Sequence, residues 1–304
     1  MIIDTDAACE ADDPFAIAHA LMCQKFIVKG ICAEHFNCEG SMKRSFDEIR
    51  TVLDAMNVSV PVYMGSETKL SACTTEELSP ASSFLIEEAM QEDTKPLYVL
   101  CLGAITNIAA AIQACPDIAS QMTIVWIGGH GHDVIGATDD REYNAANDID
   151  AINLVLESGV TFWQIPKNAY NTIRISLAEI QNRIAPCGNI GKHLFENMVA
   201  YNHSQHAGWT AGESWTLGDS PAVGVVLDPD CGKYHDVSAP IINADTSNSF
   251  EFGRPTIRVY TSVDSRFILE DLSHGWSFCT NSSKYIFNAY TFLEGHFIYS
   301  CATS

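Results

Sequence analysis

Short apolar runs alternate with longer amphipathic stretches through the first half of the chain. MIIDT (1–5), FIVKGICAE (26–34), VPVYMG (60–65), LYVLCLG (97–103), TIVWIGG (123–129) and TFWQIP (161–166) read as strands. Several are apolar without polar alternation, as strands covered on both faces are. Between them FAIAHALMCQ (15–24), MKRSFDEIRTVLDAM (42–56), ITNIAAAIQA (105–114) and DIDAINLVLES (148–158) space their apolar residues as amphipathic helices do. Strand–helix alternation of this kind predicts βαβ units and an α/β fold with an open, mostly parallel, doubly wound sheet. The segment from about Tyr234 onward is richer in Ser, Asn and β-branched residues and is expected to add strands or a flap. No internal repeat or long linker divides the chain, so residues 1–304 are expected to form one domain.

In such sheets ligands bind beyond the carboxyl ends of the strands. The loops at those ends are conspicuously polar: DTDAACEADDP after the first strand, AITN after YVLCLG, and HGHDVIGATDDREYNAAND after TIVWIGG. The first of them, with the end of its strand, carries Asp4, Asp6, Glu10, Asp12 and Asp13, five carboxylates in ten residues. Like charges that close together resist joint ionisation unless something positive sits among them. Asp12 and Asp13 before Pro14 form a helix-start signal in which one carboxylate is expected to cap free N–H groups. Capping leaves Asp4, Asp6 and Glu10 unexplained, and converging hard oxygens are how Ca²⁺ or Mg²⁺ is held. GESWTLGDSPAVGVVLDP (212–229) repeats the device with Asp219 and Pro221, which predicts two helix N-termini facing one shared site.

The net charge of −21, from 38 acidic and 17 basic residues, shows no basic patch and argues against a nucleic-acid partner. No apolar run is long enough to span a bilayer. The eleven cysteines include no CxxC pair, which fits reduced, mostly buried thiols and a cytoplasmic location. His130 and His132 in GGHGHD have the look of a metal pair, but no third ligand with zinc spacing accompanies them.

Four segments, in order over roughly residues 1 to 230, resemble the inosine-uridine nucleoside N-ribohydrolases. DTDAACEADDPFAIAHAL is similar to that family's N-terminal aspartate motif, LGAITNIAAAI to its LGPLTNLALAL segment, and WIGG followed by EYNAANDIDAINLVLESGV to its MGG and EFNxxxDPEAAxxVLxSG segments. WTLGDSPAVGVVLDP matches its later His-Asp-Ala-Val segment in position. The resemblance implies Ca²⁺-dependent hydrolysis of the N-glycosidic bond of a ribonucleoside. It implies that Asp6 binds the metal and takes the proton of the attacking water. Asp13, the backbone carbonyl of Thr106 and Asp219 would complete the ligands, and Asp12, Asn37, Glu142 and Asn144 would hold the ribose hydroxyls. Such a reaction passes through an oxocarbenium-like state that negative side chains stabilise. Glu142 and Asn144 flank Tyr143 in a segment read as extended, so both are expected to point towards the pocket. The expected partner is a small-molecule nucleoside, with no nucleic acid and no membrane, and the expected assembly is a homo-oligomer.

The chain departs from the family pattern at three places, one being that the family's HGxxG segment, expected after PVYMG, is not apparent in SETKLSACTTEELSP. Five residues separate Asp6 from Asp12 where the usual motif has three, and Gly218 stands where many members have the His thought to protonate the leaving base. His206, or His203 beside it, in a segment read as helical, is the expected substitute acid; Trp209 and Trp215 stacking on the base is the alternative. Two other readings stay open: a haloacid-dehalogenase-type phosphatase, which also places a DxD after its first strand, and a nucleoside- or sugar-binding homologue without turnover.

Overall fold

The computed structural model describes residues 1–73, 77–208 and 212–280. The strands, in chain order, are β1 (Ile2–Thr5), β2 (Gly30–Ala33), β3 (Val62–Met64), β4 (Leu97–Cys101), β5 (Met122–Ile127), β6 (Thr161–Ile165), β7 (Arg174–Ser176), β8 (Ser214–Thr216), β9 (Gly232–Ser238), β10 (Ile241–Ile242), β11 (Asn248–Ser249) and β12 (Thr256–Val263). The helices are α1 (Asp13–Met22), α2 (Ser41–Met56), α3 (Pro80–Ala89), α4 (Thr106–Ala114), α5 (Tyr143–Asn147), α6 (Ile149–Glu157), α7 (Lys167–Tyr170), α8 (Leu177–Glu179), α9 (Gly188–Asn202), α10 (Ser220–Leu227) and α11 (Ser265–Thr280).

All six strands expected in the first half form, and they lie in one sheet of order β3-β2-β1-β4-β5-β6-β12-β9. Every pairing in it is parallel except that of β9 with β12. The C-terminal segment thus adds one parallel strand and an antiparallel edge, together with the small β10–β11 hairpin. Alternate residues of each strand feed opposite layers. Ile3, Ile31, Leu100 and Val125 pack with residues of α1, α2, α9, α10 and α11. Ile2, Cys32, Val99, Ile124 and Trp126 pack with residues of α3, α4 and α6. Both faces are therefore covered, which is why the strands are apolar throughout.

The chain leaves β1 towards β2 and β3 on one side, then returns to β4, β5 and β6 on the other. The gap between the loops after β1 and β4 is the topological switch point, where such sheets open a crevice. The acidic loop follows β1, and LGAITN follows β4. Among the described residues no cysteine is in a disulfide: four of nine are buried, four half-buried and Cys38 exposed. No described helix is long and apolar enough to cross a membrane.

Because the two layers meet through the sheet's central strands, truncating a side chain there removes contacts that neither layer can refill. Ile3→Ala is expected to lower unfolding free energy by about 2–5 kcal/mol. Denaturant titration checks this, and a loss below about 1 kcal/mol would show that the layer relaxes into the gap.

Candidate active site

Helix α1 begins at Asp13 with Asp12 as its N-cap residue, and α10 begins at Ser220 with Asp219 as its N-cap residue. Neither aspartate side chain caps its own helix, contrary to the expected capping role. Both carboxylates turn instead into the space between the two helices, which pack against each other. Carboxylate oxygens of Asp12, Asp13 and Asp219 lie within 4.8 Å of one another, and all three residues are buried. Asp6, at the end of β1, is 3 % exposed, and its Oδ2 has no hydrogen-bond partner. The two helix N-termini point their positive dipole ends at this cluster, a modest stabilisation compared with several buried charges.

Thr5 Oγ1 donates to Asp13 Oδ1, and the Gly218 amide donates to Asp12 Oδ2 over 2.9 Å. Burial raises Asp6 well above the usual carboxylate range, and Asp13, Glu10 and Asp12 raise it further. Asp12 is raised by burial and by Glu10 and Asp13, and Asp219 by burial and by Asp12, Asp13 and Asp6. Burial outweighs the Thr5 hydrogen bond and lifts Asp13 to about 6; Glu10, in the longer loop, rises to about 7. An orphaned buried oxygen, a hard-oxygen donor set and acidic neighbours on every side fit a divalent cation. Among the described residues, the carboxylates close enough together to share one are those of Asp12, Asp13 and Asp219, a set that takes in Asp12 and leaves out Asp6.

The peptide after β4 closes on this cluster. A Cβ on Gly103 would lie 2.7 Å from Asp6 Cγ, so only glycine lets that loop approach. Asn144 Nδ2 donates to the carbonyls of Leu102 and Ile127, each over 2.9 Å, tying the ends of β4 and β5 together.

Thr106 is placed differently from the expectation. It is the first residue of α4, where its carbonyl enters the helical ladder, and its hydroxyl bonds Asp148 and His35. Asn107 Nδ2 holds Asp4 and the Ala33 carbonyl, and its amide donates to Glu34. The AITN segment and Asp4 therefore build a buried polar layer beside the crevice, with Asp4 lifted to about 7 by burial despite bonds from Asn107, Glu34 and Cys101. Asn37 is exposed in the loop after β2, in a left-handed conformation with φ 56°, and its amide donates to His35 Nδ1.

Glu142 and Asn144 are not in an extended segment, because Tyr143–Asn147 is a short helix that Glu142 caps. Glu142 is fully buried, and its Oε2 accepts from the amides of Gly129 and Ala145 while Oε1 accepts from the Tyr170 hydroxyl at 2.9 Å. The Tyr170 ring lies 3.3 Å from where a Cβ of residue 218 would stand. The space beside Gly218 is thus filled by a tyrosine that the sequence reading missed. Its signal was the polar stretch KNAYN after β6, another strand-end loop of the kind that marks the crevice.

His203 ends α9 and His206 sits in a 3₁₀ turn, Gln205–Ala207; both are exposed, and no hydrogen bond or ion pair joins them to the carboxylates. Trp215 is buried against Tyr201, their ring centroids 5.5 Å apart, and belongs to the core. Trp209 lies outside the described residues. His130 bonds Thr246, and His132 bonds the Ser238 carbonyl and packs on Phe250. Neither joins a three-ligand cluster among the described residues.

A sequence model of the inosine-uridine preferring nucleoside hydrolases matches residues 1–270. The chain belongs to that family. A plant nucleoside hydrolase superposes with a TM-score of 0.75 at 18% identity, covering 90% of this chain and 98% of that one. A purine-preferring ribonucleoside hydrolase from Gardnerella vaginalis superposes with a TM-score of 0.74 at 21% identity, covering 91% and 98%. An uncharacterized protein of Schizosaccharomyces pombe is 23% identical over 219 residues, 61% of this chain and 68% of its own length. The chain is an N-glycosyl hydrolase of the nucleoside hydrolase type, and the phosphatase reading falls.

Two outcomes follow from the geometry. Without a cation these carboxylates keep protons in the folded state that they give up near pH 4 in the unfolded chain, so the cluster's contribution to stability is fully present below that pH and is lost as pH rises through the raised folded values. For Asp13 and Glu10 those values are about 6 and about 7. Chelator-treated protein should therefore melt higher at pH 5.5 than at pH 7.5, and scanning calorimetry showing the opposite slope would contradict the cluster's electrostatics. Gly103→Ala should push Asp6 aside and lower kcat/KM by about 10²-fold with the fold intact. Near-parental activity would show that the loop has room to retreat.

Proposed function

We propose that this chain hydrolyses ribonucleosides with Ca²⁺ held by Asp6, Asp13 and Asp219. The observation that carries the reading is that buried carboxylate oxygens of Asp13 and Asp219, with Asp12, lie within 4.8 Å of one another, while the buried Asp6 Oδ2 has no hydrogen-bond partner. A divalent cation held there would supply Lewis acidity that lowers the pKa of bound water. Asp6 supplies the base, its free Oδ2 accepting the water proton as oxygen attacks the anomeric carbon. The N-glycosidic bond breaks with its electron pair going to the departing base. The surrounding carboxylates oppose the positive charge that develops on the ribose.

Asp12 and the Glu142–Asn144 segment are the proposed sugar-binding groups, Asp12 already aligned by the Gly218 amide. In this reading Asn37 and Thr106 contribute through the loops they shape, and His206 serves no acid role from its exposed turn. The enzyme works as a cytoplasmic homo-oligomer on free nucleosides.

A panel of ribonucleosides assayed for reducing sugar, with chelator and with added Ca²⁺, tests the proposal. Cation-dependent release of ribose is expected; calorimetric binding without release would contradict the proposal. Asp13→Ala should remove the rise in melting temperature that Ca²⁺ gives the parent, because a ligand stabilises only the state that binds it. An equal rise in both proteins would end the ligand assignment. Buried groups that hydrogen-bond hydroxyls reject analogues lacking them, so 2′-deoxynucleosides should react at least about 10²-fold less efficiently. Comparable kcat/KM on both sugars would contradict it.

A further inference from the structure

Thr246 has φ 70° and is fully buried. A β-branched residue in the left-handed region is a genuine outlier, held there only where its surroundings over-determine it. Here the turn from Asn243 to Ser247 does so. The Thr246 amide donates to the Asn243 carbonyl, the Asn243 amide to the Ser247 carbonyl, and Asp245 accepts from the amide and hydroxyl of Ser247. The turn joins β10 to β11, and Asn153 of α6 anchors it by paired bonds to the amide and carbonyl of Ile242.

The Thr246 hydroxyl meets both ends of the loop that leaves β5. It accepts from the Glu142 amide at 2.9 Å and lies 3.3 Å from His130 Nε2. A hydroxyl has one proton to give and lone pairs to receive, so this single group ties the start of the loop to its end. Further bonds from the hairpin hold the loop's length. The Asn248 amide donates to the Val134 carbonyl and its side chain to the Gly131 carbonyl, the Thr138 amide donates to Asp245, and Arg141 reaches the Ala244 carbonyl. Glu142 closes the same neck from within, through its carboxylate on the Gly129 amide.

We infer that Thr246 is a positioning residue. The β10–β11 hairpin clamps the neck of the 130–142 loop through the Thr246 hydroxyl and so sets the place of Glu142 and Asn144 at the crevice. This rests on the proposed sugar-binding role of that segment. The hydroxyl, rather than the turn, is the working part: serine retains it, valine keeps the shape without it, and glycine relaxes the backbone without it.

The test uses the full chain with Thr246→Val, Thr246→Ser and Thr246→Gly, read by amide hydrogen exchange over residues 131–142 and by ribonucleoside kinetics. Thr246→Val and Thr246→Gly should both speed exchange in that loop. They should also raise KM between about ten- and a hundredfold, with kcat changed less, and Thr246→Ser should stay close to the parent in both. Parental exchange and KM in Thr246→Gly or Thr246→Val, or a serine variant as impaired as glycine, would overturn the inference. Should valine fail to fold, the serine–glycine pair decides alone. If the parent releases no ribose, the functional reading fails, and the exchange comparison still decides whether the hydroxyl clamps the loop.

Discussion

Four buried carboxylates with acid neighbours and, among the described residues, no basic partner are the constraint around which this protein is arranged. Charges of one sign in a dry setting cannot all ionise, so Asp6, Asp12, Asp13 and Asp219 must share protons or a cation. The fold accepts that cost at the switch point of a parallel sheet. There the end of β1 and the N-termini of α1 and α10 meet, and backbone dipoles and amides provide partial positive charge. The donors present, chiefly the Thr5 hydroxyl and the Gly218 amide, orient individual carboxylates without neutralising them. An arrangement with this unsatisfied remainder is what a site for a hard divalent cation requires, and it suits a reaction that builds positive charge on a sugar.

Around the cluster the scaffold commits other polar groups to holding loops still. Asn144 joins the ends of β4 and β5, Glu142 joins the start of α5 to Gly129 and Tyr170, and Asn107 with Asp4 and Glu34 fixes the first turn of α4. Preorganisation of this kind keeps catalytic groups from relaxing away from the geometry they need. It also places exposed tyrosine surface at the mouth of the site: Tyr143, 48 % exposed, lies 3.3 Å from Cys9 of the longer loop.

The sheet was legible because strands covered on both faces leave continuous apolar runs, and the crevice because polar loops follow those runs. The acidic loop and the Asp219 segment were legible as partners from their shared Asp–Pro helix starts, although the cap chemistry inferred from them is not what forms. What stayed hidden depends on contacts between segments distant in sequence. α5 is too short to show a helical period, so EYN read as extended. The family resemblance made the Thr106 carbonyl a ligand, and nothing local reveals that Thr106 opens α4 with its hydroxyl on His35 and Asp148. Gly218 read as an absence, where the structure shows Tyr170 against the space a side chain would need. His206 attracted attention by its closeness in sequence to Gly218 and by the near-neutral titration of an imidazole, and the fold leaves it on an exposed turn.

The central claim, that a cation replaces protons within this cluster, is tested most directly by counting protons. Calcium titrated into chelator-stripped protein at about pH 6, in buffers of different ionisation enthalpy, measures both stoichiometry and proton release. One cation bound per chain with net proton release that shrinks as pH is raised towards 9 is the predicted result. Absence of binding, or binding with no proton release at any pH, would contradict the account.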